Sequence, residues 1–366
     1  MIVYYSILVY LLYLGVIKKL SEKYEKSDEL IVAIAALILF FFAAMRSIRV
    51  GADTRQYIGH FLMLSKTNWM DLGHYSYNWY GELEFGYKVF NKLLSVFGHQ
   101  QTITIANSVL QVGLITIVIY KQSKDKWLSI FLYFSFCFYQ TALNLTPSSF
   151  VSYFLFLTLP FIKDKKLMKF LIFIGIGMLF HTSAIFFLPL YFLSKIDINK
   201  KTMVIIGGVY GLILAFFPLF IKILTFILPK KYSSYIDDSH KRTGNTVEIL
   251  VLVVQILAIV FCFLQIEKKQ RKSVVRENNL IVWMLIYEIL LYLLSLNSSM
   301  FQRGAFLFTP YFVILLPNLI SYISDENRKK LTTLAMVGYG TALYILRVMI
   351  NNVGKTMPYE FFFNMR

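Results

Sequence analysis

Only 16% of the residues in this chain are charged, and the acidic ones are scarce, 20 against 37 Lys and Arg. Soluble domains carry nearer a quarter, so a solvated globular surface is excluded at the outset. Cysteine is almost missing as well. Cys137 and Cys262 both sit inside apolar runs, without the spacing of a zinc site, a redox pair or a disulfide framework. They read as small apolar residues, and no metal and no cofactor are expected. No pair of acidic residues matches the signature that holds a metal against a nucleotide sugar. No internal repeat is visible either, whereas a transporter built of two related halves would show one. A cleavable signal peptide is not expected, because residues 2–17 lack a basic segment ahead of them and Lys18-Lys19 follow as a stop.

What the chain has is apolar length. It is 57% hydrophobic and 17% aromatic, with a mean hydropathy of +0.61. Spans are predicted at residues 2–17, 30–45, 103–120, 203–228, 249–266, 280–296, 305–323 and 331–349. Residues 127–162 and 170–194 read as helical hairpins, broken at Asn144 and near His181. The expectation is an all-α polytopic membrane protein of about twelve transmembrane helices, a single integral-membrane domain over residues 1–366. The net charge of +17 lies mostly in short loops between these runs, so the partner it implies is the lipid bilayer and not nucleic acid.

Parity through the spans then gives an orientation. One set of loops holds Lys18, Lys19, Lys121, Lys124, Lys126, Lys163, Lys169, Lys195, Lys200, Lys268, Arg271 and Lys330, among others. The excess of Lys and Arg on cytoplasmic loops places that set inside. The 46–84 segment, the breaks at Asn144 and His181, the 229–248 loop, the Arg303 turn and both termini then face outward. Within 46–84, Trp69, Tyr75, Tyr77, Trp79 and Tyr80 cluster as aromatics do at a water–bilayer interface.

The unusual polar residues all fall on that outer side. Arg46, Arg49, Arg55, Asp53 and Tyr57 lie within twelve positions. Glu84, Asn144, His181, Arg303 and Arg347 follow at other outer ends. Each has a plainer alternative. Arg46 snorkels to the interface, Asp53 caps the helix that starts at Thr54, and Glu84 pairs with Lys88 four residues on. His181 is a hydrogen-bonded packing residue, and Arg347 an interfacial anchor. Read as a site, the arginines suit phosphate oxygens, which guanidinium groups bind in bidentate fashion. A nearby carboxylate, Asp53 or Glu84, suits a general base that deprotonates an acceptor hydroxyl, and His181 suits either a base or a phosphate contact. Aromatic faces suit sugar rings.

Arg46-x-x-Arg49-Val-Gly51-Ala-Asp53-Thr54-x-x-Tyr57, followed by Glu84-x-Gly86-Tyr87, resembles the opening of EpsG-family, Wzy-like exopolysaccharide and capsule polymerases. So do Phe180-His181-Thr-Ser183-Ala184 with Pro189, the Arg303 turn, and the terminal Pro358-Tyr359-Glu-Phe-Phe. The resemblance implies a membrane glycosyltransferase with a GT-C-like helical fold, acting without metal on undecaprenyl-diphosphate-linked oligosaccharides as donor and acceptor. It implies an active site on the outer face of the bacterial cytoplasmic membrane, with other polysaccharide assembly proteins as partners. Asp53, Glu84 and His181 are then the catalytic candidates. Arg46, Arg49, Arg55, Tyr57, Asn144 and Arg303 are the substrate-binding ones. One departure stands out: where members commonly carry Asn-x-x-Arg-Gln, this chain has Asn144-Leu145-Thr146-Pro147-Ser148, without the arginine. Two alternatives of other classes are a flippase or exporter of the same lipid-linked sugars and a membrane O-acyltransferase using His181.

Overall fold

The computed structural model describes residues 2–21, 27–76, 83–227, 246–298 and 300–364. Among these the chain is helical, its only β pairing an isolated antiparallel bridge between Arg46 and Phe361. Tyr77, Trp79 and Tyr80 of the expected aromatic shelf, and most of the 229–248 loop, lie outside the described residues.

Helices α1 (Ile2–Leu20), α2 (Ser27–Ala44) and α5 (Gln101–Gln122) are each long and apolar enough to cross a membrane, as is Glu326–Val348 near the C-terminus. Counting each bent pair of helices as one span brings the total among the described residues to seven, against the twelve or so expected for the whole chain. Breaks within the apolar runs account for much of the difference. The run at 127–162 is not a hairpin of two spans but four short helices, α6 (Lys126–Ser135), α7 (Phe138–Asn144), α8 (Thr146–Phe156) and α9 (Leu159–Lys163). Cys137, at φ 62, separates the first two, while Pro147 and Pro160 open the last two. Proline is tolerated there because the first turn has no intrahelical use for its missing N–H. Likewise α10 (Leu167–Phe180) gives way at His181 to a 3-10 turn (Thr182–Phe187) and the short α11 (Leu190–Leu193). Farther on, α12 (Lys200–Ala215) and α13 (Phe217–Ile227) meet at a sharp bend beside Pro218.

The remaining helices are α14 (Thr246–Gln265), α15 (Arg271–Glu277), α16 (Asn279–Ser295), α17 (Met300–Phe306), α18 (Tyr311–Ser321) and α19 (Glu326–Asn351). Their buried apolar side chains join those of α1, α2, α5–α8 and α10 in one core.

The bundle has two unlike ends. At one, Lys18 Nζ reaches Asp125 (2.7 Å) and Asp28 (3.3 Å), Asn318 accepts from the Lys124 amide, and Asn279 donates to the Ser194 carbonyl. Asp125 and Asp325 cap α6 and α19 there with side-chain hydrogen bonds. At the other end lie residues 45–76, the start of α5, Asn144 and the segment after α19. There α3 (Thr54–Lys66) seats Ile58 and Phe61 against Ile103 of α5. Behind it, α4 (Phe85–Leu94) comes so close to α10 that a Cβ on Gly86 would fall 2.7 Å from the Leu179 carbonyl oxygen.

Candidate functional site

Residues 45–53 form a loop laced to the end of the chain. The amides of Ser47, Gly51 and Ala52 donate to the carbonyls of Glu360, Lys355 and Gly354 at 2.8, 3.0 and 3.0 Å. The Phe362 amide returns a bond to Met45 at 3.0 Å. Gly51 (φ +101) and Gly354 (φ +71) hold left-handed conformations that glycine adopts without a Cβ penalty. Both also stand against Asn144, whose Nδ2 would lie 1.8 Å from a Cβ on Gly354 and whose Oδ1 would lie 3.0 Å from one on Gly51. Asn144 is buried and donates to the Gln140 carbonyl. It is a strut of the loop, enclosed by backbone.

The four arginines take different places. Arg46 is 2% exposed, and its guanidinium donates to the carbonyls of Ala43 and Leu143 and to Ser108 Oγ. It meets backbone groups that the ends of α2 and α7 leave open, inside the bundle. Arg49 projects outward, with 63% of its side chain exposed, and pairs with Glu360 at 3.7 Å. Arg55 is exposed on the first turn of α3, and Arg303 is exposed on α17.

Asp53 stands at the N-cap position of α3 without making a side-chain cap bond. Its carboxylate is half-buried. Burial pushes its pKa up from the ordinary carboxylate value, and the positive charge of Arg303 partly holds it back. Tyr57, one turn into α3, feels both charges, and its hydroxyl meets the Thr146 backbone. Its ring packs edge-on to Tyr87 of α4 at 6.2 Å. The fold thus brings Asp53, Tyr57 and Arg303 into one electrostatic neighbourhood, though Arg303 comes from the far part of the chain.

Glu84 and His181 form a second group. Glu84 Oε1 accepts from the Thr182 amide at 2.9 Å and from the Thr182 hydroxyl at 3.0 Å. Lys88, the partner that the plainer reading gave Glu84, sends its Nζ to the Tyr75 carbonyl at 2.6 Å. His181 is partly exposed and caps the 3-10 turn with Nδ1. The two groups share a border: the ring of Phe186 in this turn lies within 3 Å of where a Cβ on Gly304, next to Arg303, would stand.

Comparison with known proteins fits this arrangement of motifs. The model of the EpsG family matches residues 29–361, from the start of α2 to Phe361, which pairs with Arg46. The chain belongs to the EpsG family. No curated protein and no solved structure gives a significant match. EpsG is a Wzy-like polymerase family, and membership marks the chain as an exopolysaccharide-related membrane polymerase.

Several residues that hold this end of the EpsG chain together carry no motif. Gln101, Thr104, Asn107, Ser108 and Gln111 are all buried on α5. Gln101 donates to the Ala44 and Arg46 carbonyls, Gln111 to the Ala142 carbonyl, and Asn107 to the Tyr87 hydroxyl. In a bilayer, backbone groups freed by a break must find partners within the protein. The α5 stripe supplies them. Its signal in the sequence was polar residues recurring at helical spacing within an otherwise apolar span. Thr182 and Glu360 lie within motifs quoted for the family resemblance, but nothing along the chain pairs them with Glu84 and Arg49.

Proposed function

We propose that this EpsG protein joins undecaprenyl-diphosphate-linked oligosaccharide repeat units on the outer face of the bacterial cytoplasmic membrane, by metal-independent glycosyl transfer within a single, GT-C-like membrane domain. The observation that carries the reading is that the positive charge of Arg303, remote in sequence, bears on both Asp53 and Tyr57 at the end of the bundle away from the Lys18–Asp125 contacts. That end is outward if the Lys-rich loops are cytoplasmic.

In the reaction, the acceptor hydroxyl oxygen attacks the anomeric carbon of the donor. A new glycosidic C–O bond forms as the C–O bond to the diphosphate breaks. The hydroxyl proton passes to the Asp53 carboxylate, and undecaprenyl diphosphate leaves as the anion. Raised proton affinity makes Asp53 a stronger base than a solvated aspartate. Arg303 faces the charge that develops on the leaving diphosphate, with Arg49 and Arg55 on the same rim. Their guanidinium groups take the place of the arginine that this chain lacks after Asn144. Arg46 and Asn144 serve by holding the loop, and Tyr57 flanks the reacting groups.

The test is the lipid-linked saccharide pool, and its sidedness, in cells without the protein. Single repeat units should accumulate on the outer leaflet, with no polymer. Units trapped on the inner leaflet would mean a flippase instead. Full-length polymer lacking only an acyl group would mean an acyltransferase.

A further inference from the structure

His181 occupies the junction between α10 and the Thr182–Phe187 turn with an extended backbone, φ −157 and ψ 119. Its Nδ1 accepts from the Ser183 amide at 3.3 Å, and the Ser183 hydroxyl lies 2.5 Å from the same nitrogen. A backbone amide can only donate, so the ring nitrogen facing it presents its lone pair. The hydroxyl, free to rotate, donates to the same side. In the neutral ring the proton is then on Nε2. A general base needs a bare nitrogen facing its substrate, and the bare nitrogen here is committed to the turn.

Glu84 fixes that turn from the other side. Both donors of Thr182, the residue next to His181, converge on its Oε1. The close approach of Gly86 to the Leu179 backbone holds the start of α4 against the end of α10. Oε1 is thus engaged in ordering the segment that carries His181.

We infer that His181 is a hydrogen-bond donor, through Nε2–H, to an anionic phosphate oxygen of the lipid-linked diphosphate, and that Glu84 and Ser183 are positioning residues. His181 does not take the proton of the acceptor hydroxyl, and Glu84 acts by ordering the turn. The identity of the anion rests on the polymerase reading; the protonation state of the ring does not.

Two measurements separate these layers. The first is nitrogen NMR of the full-length protein, labelled with 15N-histidine and held in lipid nanodiscs, at about pH 8.5, where an ordinary imidazole is neutral. The chain has five histidines, and subtracting the His181→Gln spectrum isolates the signal of interest. A bare Nδ1 and a protonated Nε2 are expected. A proton on Nδ1 overturns the inference, whatever the protein polymerises. The second is polymer formed from lipid-linked repeat units. His181→Ala, which removes the donor, should lose about 100-fold, as loss of one preorganised donor does. His181→Gln keeps an N–H near the Nε2 position and should stay within about tenfold of wild type, with an unchanged pH profile. Glu84→Gln keeps a carbonyl acceptor for Thr182 and should likewise stay active, whereas Glu84→Ala should not. A Gln variant as inactive as its Ala counterpart, at equal expression, would make that residue a proton carrier and overturn the inference. Should wild-type protein form no polymer, the polymerase reading fails while the tautomer result stands.

Discussion

At the scale of single residues, Asp53 combines a cost to the fold with a use in the reaction. Burial raises its pKa and Arg303 only partly offsets the effect, so the folded state binds the proton more tightly than the unfolded chain does. Its contribution to stability is therefore fully present below the unfolded value and lost as pH rises through the folded one. At neutral pH the charged side chain weighs against folding. Asp53→Asn should consequently melt no lower than wild type at neutral pH, yet lose about 10²- to 10⁴-fold in polymer formation, the range of a general base. The wild-type rate should rise with pH through a midpoint above the usual carboxylate range. Thermal melts and initial rates from pH 4 upward check both; normal polymer from the Asn variant would remove Asp53 from the reaction. The sequence showed the cluster around Asp53 but not its division of labour. Arg46, Arg49 and Arg55 read alike along the chain. What distinguishes them is contact with Ser108 and Leu143 for the first and with Glu360 for the second, all remote in sequence. Burial of a guanidinium depends on where other helices end, which no local pattern records.

At the scale of elements, the segment after α19 behaves as a strap. It closes the 45–53 loop through four backbone hydrogen bonds and carries Glu360 to Arg49. Gly354 is its tightest point. Alanine there must adopt a left-handed conformation, at about 1–2 kcal/mol, and displace Asn144, which lies 1.8 Å from the new Cβ. Gly354→Ala should lower the melting temperature and cut polymer formation together. Gly338→Ala, on α19 with nothing within 4 Å of its Cβ, should do neither. Equal melting curves for the two variants would show that the strap does not order the loop. The elements were only partly legible in advance. Long uninterrupted helices such as α2 and α5 stood out, because apolar length alone defines them. The break at Cys137 did not, since nothing there forbids a continuous helix, whereas the bend at Phe216 had its signal in Pro218, two residues on. Side chains from neighbouring helices make such breaks tolerable: the Phe136 carbonyl, next to Cys137, accepts from Arg347 at 2.6 Å. Arg347, for which an interfacial anchor was the plainer reading, thus serves a helix end.

At the scale of the whole molecule, function depends on which end of the bundle meets the outside. The charged loops distinguish the two ends. Residues at the Lys18 end are rich in Lys and Arg, and translocating such loops is disfavoured. The opposite end also carries cations, Arg49, Arg55 and Arg303 among them, but there they lie beside Asp53 and Glu360 instead of in short basic loops. The chain suits a direct test, because Cys137 and Cys262 are both fully buried and should not react with a polar thiol reagent. Asn68, between α3 and the Trp69–Asp71 turn, and Lys268, before α15, are both exposed. In intact cells a membrane-impermeant maleimide should label Asn68→Cys and spare Lys268→Cys, and permeabilising the membrane should expose the second. Labels in the reverse order would put Asp53 and Arg303 in the cytoplasm. Lipid-linked units displayed on the outer leaflet could not reach them there, so the polymerase reading requires the first order and no other.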